Sequence, residues 1–246
     1  MKDITRIAID EISIGKAHKY IALVLDLETG SVVFIGDGTG ADSLDPFRKK
    51  LKKSKASIAA VAIDMSPAYI QAVRTNLPKA TIVFDHFHLI KYFNDNLSKR
   101  PRQLYHEIKE KTQRQQLKGL RWILLKNPEN LDQDKDEKER LEKALKVYKP
   151  LAAAYYLKED LRQFWKQENK KMAAAHLAWI AKAQSSGITM LMKFAKTVAA
   201  HRTGILAYYD YPISTGPLED TDNKIKTMQR QSYGFRDKEF FGSKQH

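Results

Sequence analysis

The sequence predicts an α/β fold in which a mixed sheet is interrupted by a long all-helical insertion. Three observations point there. Arg6-Ile7-Ala8-Ile9-Asp10-Glu11 and Ala59-Ala60-Val61-Ala62-Ile63-Asp64 are short apolar runs that end in acids, as strands buried on both faces do when they surface at one end of a sheet. Between them lie two more β-type runs, separated only by the turn residues Glu28-Thr29-Gly30-Ser31. From about residue 86 to 210, apolar residues recur at helical rather than strand spacing.

Taken in order, Ile4 to Ile12 reads as a strand. Side chains alternate along it, so Asp10 and Glu11 point to opposite faces and only Asp10 is assigned to the site. Tyr20–Leu27 and Val32–Ile35 complete a meander, and Gly36, Gly38 and Gly40 form a loop without dinucleotide-binding spacing. Ser43 to Lys55 is an amphipathic helix with Leu44, Phe47 and Leu51 on its apolar face. After the strand that delivers Asp64, Ser66 caps a helix whose first residue is Pro67, and Thr81–Phe84 is a further short strand. The order β-β-β-α-β-α-β is that of the ribonuclease-H-like fold.

A helix through Phe87–Phe93 ends near Pro101, and amphipathic helices follow over 134–148, 151–168, 170–183 and 187–200. Trp122, Trp165 and Trp179 are expected in the core of this part rather than as base-stacking wedges. A last helix runs from Pro217 to about Gln229, with Glu219 in its first turn. The expected organisation is a core from 1–100, a helical insertion over 101–209, and a closing core helix within 210–246.

Composition narrows the function. The 246-residue chain contains no cysteine, which fits a reducing, cytoplasmic compartment and excludes disulfides and thiolate metal sites. No apolar run nears the roughly 20 residues of a membrane span, and Met1 opens no secretory signal. The net charge of +14 points to a polyanionic partner, and residues 86–213, with 25 basic and 14 acidic side chains, carry most of it. Lys99, Arg100, Arg102, Lys109, Lys111, Arg114, Lys118 and Arg121 form a basic run interrupted by only two acids, Glu107 and Glu110, and are assigned to the DNA backbone.

Asp10 and Asp64 are acids where strand packing favours none, and adjacent strands would hold them a few ångströms apart. Such a pair is costly without a cation between them. With Glu219 on a longer arm they would form a catalytic site for Mg²⁺ or Mn²⁺, hard ions that take oxygen ligands and complete their shells with water and phosphate. Asp85 and His88 follow the last strand of the core and are candidates to support that site. Asp222 and Asn223, three and four residues beyond Glu219, share its helix face and are candidates too.

These motifs together resemble a known family. Ala8-Ile9-Asp10-Glu11-Ile12-Ser13, Ile63-Asp64-Met65-Ser66-Pro67-Ala68-Tyr69, Val83-Phe84-Asp85 with Phe87-His88, Gly216-Pro217-Leu218-Glu219 and Tyr233-Gly234-Phe235-Arg236-Asp237 are similar, in order, to the DDE transposase domain of bacterial insertion sequences of the ISL-three group. The resemblance implies a metal-binding triad of Asp10, Asp64 and Glu219, a ribonuclease-H-like fold with a helical insertion before the last acid, and cut-and-join transposition without a covalent protein–DNA intermediate. It further implies transposon ends and target DNA as partners, with a second protomer. The family also carries zinc-binding and helix-turn-helix segments upstream, and since Met1 lies nine residues before Asp10 the expectation is that end recognition sits outside this chain. Where the family shows Gly-Leu-Asn-Asn after its last acid, this sequence has Asp220-Thr221-Asp222-Asn223. Two further readings stay open: a catalytically silent DNA-binding or assembly domain, and a ribonuclease-H-like nuclease or resolvase.

Overall fold

The computed structural model describes residues 4–15, 19–38, 40–54, 56–99, 101, 115, 117–213, 221, 223, 224 and 227. The chain divides into two compact units, Met1–Phe87 with Thr203–His246, and His88–Arg202.

The first unit is mixed α/β, built on a five-stranded sheet in the order β3-β2-β1-β4-β5. Its strands are β1 (Arg6–Gly15), β2 (Lys19–Asp26), β3 (Val32–Asp37), β4 (Ala60–Ile63) and β5 (Thr81–Phe84). β1, β2 and β3 pair antiparallel as a meander, while β4 and β5 join β1 in parallel. The arrangement is consistent with a ribonuclease-H-like fold. The β2–β3 turn is organised by Asp26, whose carboxylate accepts from the Glu28 N–H (3.1 Å) and the Thr29 hydroxyl (2.7 Å). Gly30 then takes the left-handed conformation, with φ of 71°, that most side chains disfavour.

Two helical crossovers make the parallel half. The first passes through a 3₁₀ turn (Ala41–Leu44) into α1 (Asp45–Ser54), which buries Phe47 and Leu51 beside Leu44 as the sequence pattern requires. The second is α2 (Pro67–Asn76), which buries Tyr69, Ala72 and Val73. Ser66 holds the N-cap position but its hydroxyl makes no capping bond; its N–H instead donates to Asp64 Oδ1 at 2.9 Å.

Alternation divides the sheet into two apolar faces. One carries Ala8, Ile12, Leu23, Leu25, Ala60, Ala62 and Val83, and is covered by Ala207 and Ile213 with the partly buried Tyr208 and Tyr211. The other meets the two crossover helices, with the Phe34 and Phe47 rings 5.6 Å apart. Gly36 of β3 lies against this layer, where an added Cβ would collide with the Ser43 carbonyl oxygen and the Phe34 ring. A backbone atom cannot rotate away, so Gly36→Ala is expected to destabilise the first unit by about 2–3 kcal/mol in urea unfolding.

The described elements of the second unit are helical. They are α3 (His86–Leu97) from His88 onward, α4 (Leu120–Leu125), α5 (Glu137–Val147), α6 (Lys149–Arg162), α7 (Lys170–His176), α8 (Trp179–Gln184) and α9 (Thr189–Ala200). Phe93, Trp179 and Phe194 pack edge-on at its centre, with centroids 4.8 to 6.3 Å apart. The single helix expected over 170–183 is two, broken at Leu177-Ala178. The break directs His176 and Trp179 to the carbonyls of Asp160 (2.7 Å) and Leu157 (2.8 Å) on α6.

Trp122 also departs from expectation. Trp179 is buried, but Trp122 is 63% exposed. The apolar face of α4 is formed by Leu120, Ile123 and Leu124, and at about 100° per residue Trp122 falls outside it. The chain then returns to the first unit through α10 (Arg202–Leu206) and a 3₁₀ turn (Ala207–Tyr209), which sequence periodicity did not separate from the helices before them. Gly204 permits the return by close approach to the Phe84 ring.

Candidate active site

The register of the parallel strands determines where the acids fall. Arg6, Ile7 and Ala8 of β1 lie opposite Ala60, Val61 and Ala62 of β4, and this offset carried forward sets Asp10 beside Asp64. Ala60 to Ile63 lie opposite Thr81 to Phe84, so the same extension sets Asp64 beside Asp85. The ladder continues to this edge, since the Asp85 N–H donates to the Ile63 carbonyl at 3.1 Å. Neighbouring strands run about 4.8 Å apart. By alternation all three aspartates belong to the face lined by Ala8, Ala62 and Val83.

Local bonds fix each carboxylate. Asp10 Oδ1 accepts from the Glu11 N–H (2.8 Å), Asp64 Oδ1 from the Ser66 N–H (2.9 Å), and Asp85 Oδ1 from the Phe87 N–H (2.9 Å). The Asp64 and Asp85 bonds lie at the entries to α2 and α3, where backbone N–H groups favour an anion. Asp10 and Asp64 are half-buried, whereas Asp85 is buried, with the His86 ring beside it at 3.8 Å. His86 in turn sets its ring 6.0 Å from that of Tyr208 on the strip that covers this face.

Glu11 faces the other way, as alternation requires. Its Oε1 accepts from the Tyr69 hydroxyl (2.7 Å) and the Gly40 N–H (2.9 Å), tying β1 to α2 and to the loop before α1. Burial, reinforced by Glu11, holds the Tyr69 phenol above its ordinary value. Because the folded state retains this proton more tightly, the stabilisation is whole below the unfolded value of 10.0 and declines as pH rises beyond it. Tyr69→Phe is therefore expected to cost about 1 kcal/mol at neutral pH and to flatten the alkaline loss of stability, as followed by thermal melts across pH 8–11.

By this register Asp10, Asp64 and Asp85 fall at corresponding positions of three adjacent strand ends. Sequence reading gave Asp85 only a supporting place, although Thr81–Asp85 is also an apolar run closed by an acid. Among the described residues no group of three or more His, Cys, Asp and Glu is gathered closely enough to hold a metal ion. Glu219 and Asp222 lie outside the described residues; Asn223 is helical and exposed. His88 follows on α3, in the second unit. Two oxygen-only side chains on stiff neighbouring strands, free of sulfur and imidazole donors, suit Mg²⁺ or Mn²⁺, which need few carboxylates beside water and phosphate.

Of the basic run, Lys99, Lys118 and Arg121 are exposed, while Arg100, Arg102, Lys109, Lys111 and Arg114 lie outside the described residues. Among the described residues no helix is long and apolar enough to cross a membrane.

A mixed sheet with aspartates at the ends of adjacent strands is consistent with the ribonuclease-H-like class of fold, and comparison with known families makes the class specific. Residues 7–244 match the model of the ISL-three DDE transposases, described as transposase, and the chain belongs to that family. It is 34% identical over 239 residues to the transposase for insertion sequence element IS1001 of Bordetella parapertussis, covering 96% of this chain and 58% of that protein. It is 28% identical over 257 residues to the transposase for insertion sequence element IS1557 of Mycobacterium tuberculosis, covering 95% of this chain and 57% of the relative. The chain therefore spans less than two thirds of the length of these relatives.

Proposed function

We propose that this chain is the catalytic domain of an insertion-sequence DNA transposase, cleaving donor DNA and joining it to a target at a site formed by Asp10, Asp64 and Glu219. The observation that supports the proposal is the β1–β4 register, which carried two residues forward would bring Asp10 beside Asp64, in a chain of this family. Asp10 and Asp64 offer short, rigid oxygen arms, and Glu219 a longer arm from the closing helix. Divalent ions held between them, when bound, would supply charge neutralisation and a polarised nucleophile. The chain's own part is to fix those oxygens and to orient the scissile phosphate for in-line attack. Water opens the donor strand and leaves a free 3′-hydroxyl; that hydroxyl then displaces a strand of the target. Each exchange forms one P–O bond and breaks one.

In this reading Asp85, Asp222 and Asn223 support the triad. The helices over 101–209 are an insertion into a ribonuclease-H-like core, placed before the last acid. The basic run from Lys99 to Arg121, at the start of this insertion, holds the DNA backbone of transposon ends and target, in a homodimer that works on the bacterial nucleoid. The test is incubation of the chain with supercoiled plasmid carrying the element's ends, in Mg²⁺, Mn²⁺ or EDTA. Nicked circles in either metal and none in EDTA are expected. Tight DNA binding without cleavage in either metal would overturn the catalytic reading.

A further inference from the structure

Trp122 is the most exposed large hydrophobic side chain among the described residues, at 63%. It has no packing role that accounts for it, since Leu120, Ile123 and Leu124 already supply the buried face of α4. Its ring is nonetheless held, for the Arg121 guanidinium lies over it, 4.8 Å from the centroid.

The start of the helix that carries this ring is cationic. The Arg140 guanidinium donates to the Lys118 carbonyl at 2.6 Å, which brings a third basic side chain to the start of α4 beside Lys118 and Arg121. Elsewhere in this unit cations sit on acids: Lys126 on Glu137, Lys135 on Asp132, Lys143 on Glu139 and Arg162 on Glu159. Among the described residues no carboxylate pairs with Lys118, Arg121 or Arg140. Three basic side chains at the start of α4, with no acid paired to them among the described residues, give this end of the helix the positive charge that a polyanion complements. A nucleic-acid strand fits both parts, with phosphates on the cations and a base on the ring.

We infer that Trp122, steadied by Arg121, is a stacking platform for an unpaired DNA base, with Lys118 and Arg140 receiving the adjoining phosphates. The inference rests on DNA being the partner and adds a preference for strands whose bases are out of the duplex. Sequence is not read by such a contact, because every base presents a π face.

The test uses the full chain in EDTA, so that no cleavage intervenes, with fluorescence anisotropy of a labelled oligothymidylate and of a labelled duplex of equal length. Trp122→Ala is expected to weaken oligothymidylate binding about tenfold and duplex binding less than about twofold, with Trp122→Phe recovering most of the loss. Because Trp122 is exposed, the variant folds as the wild type does, which circular dichroism checks. Unchanged oligothymidylate affinity overturns the platform, as does an equal loss on both probes. Unchanged affinity accompanied by a fall in sedimenting mass would assign Trp122 to a contact between copies of the chain. Wild-type protein that binds neither probe would instead sink the DNA reading itself.

Discussion

Asp10→Asn and Asp64→Asn will each lower Mn²⁺-dependent plasmid nicking by about 10³-fold or more, equivalent to roughly 4 kcal/mol of lost transition-state stabilisation. The change removes one charge and almost no volume. At position 64 the amide oxygen still accepts from the Ser66 N–H, so the entry to α2 is kept and melting changes little. Glu11→Gln is the matched control. It alters the adjacent residue on the same strand, but on the face bonded to Tyr69 and Gly40. Nicking by Glu11→Gln should stay within a few-fold of wild type while stability falls by about 1 kcal/mol. Equal losses in Asp10→Asn and Glu11→Gln would show that β1 acts through its integrity and not through one carboxylate.

The largest expected effect on stability is at Lys158. Its side chain is 1% exposed, and its ammonium donates to the carbonyls of Leu124 (2.7 Å) and Lys126 (3.0 Å) at the C-terminal end of α4. It also lies 2.9 Å from Glu159 Oε1 and 4.8 Å from the centre of the Tyr155 ring. One buried cation thus closes a helix end and joins α4 to α6. Lys158→Ala leaves those carbonyls and Glu159 without it and opens a cavity, and is expected to destabilise the second unit by about 3–5 kcal/mol. Lys158→Met fills the space without the donors and should cost about 2 kcal/mol. Urea unfolding followed by circular dichroism ranks the three proteins, and a Met variant as stable as wild type would deny the hydrogen bonds their role.

Burial holds the Lys158 ammonium below its ordinary range, against the raising effect of Glu159. The unfolded chain therefore binds this proton more tightly. The residue's contribution is fullest above the unfolded value of 10.5 and shrinks as pH falls through the folded one. The stability gap to Lys158→Met should accordingly widen with rising pH.

What was legible in the sequence follows from where one force dominates. β4 reads as apolar at every position because it is buried on both faces, and its residues are at most 1% exposed. The Asp10/Glu11 division follows from alternation alone. Asp85 was harder to place, because its value lies in the β4–β5 register, which is a long-range fact. Trp122 failed for a different reason. An aromatic residue in a helical segment is ordinarily core, and only the angular position of Leu120, Ile123 and Leu124 turns it outward. The break between α7 and α8 was equally hidden, since His176 and Trp179 are directed by carbonyls on α6.

The central claim, that acids remote in sequence share one divalent-metal site, is tested most directly by anomalous diffraction from Mn²⁺-soaked crystals of the chain. The account requires an anomalous peak with carboxylate oxygens of both Asp10 and Asp64 at about 2.2 Å and a Glu219 oxygen in the same coordination group. Manganese bound elsewhere, with no density between Asp10 and Asp64 at saturating metal, would contradict it.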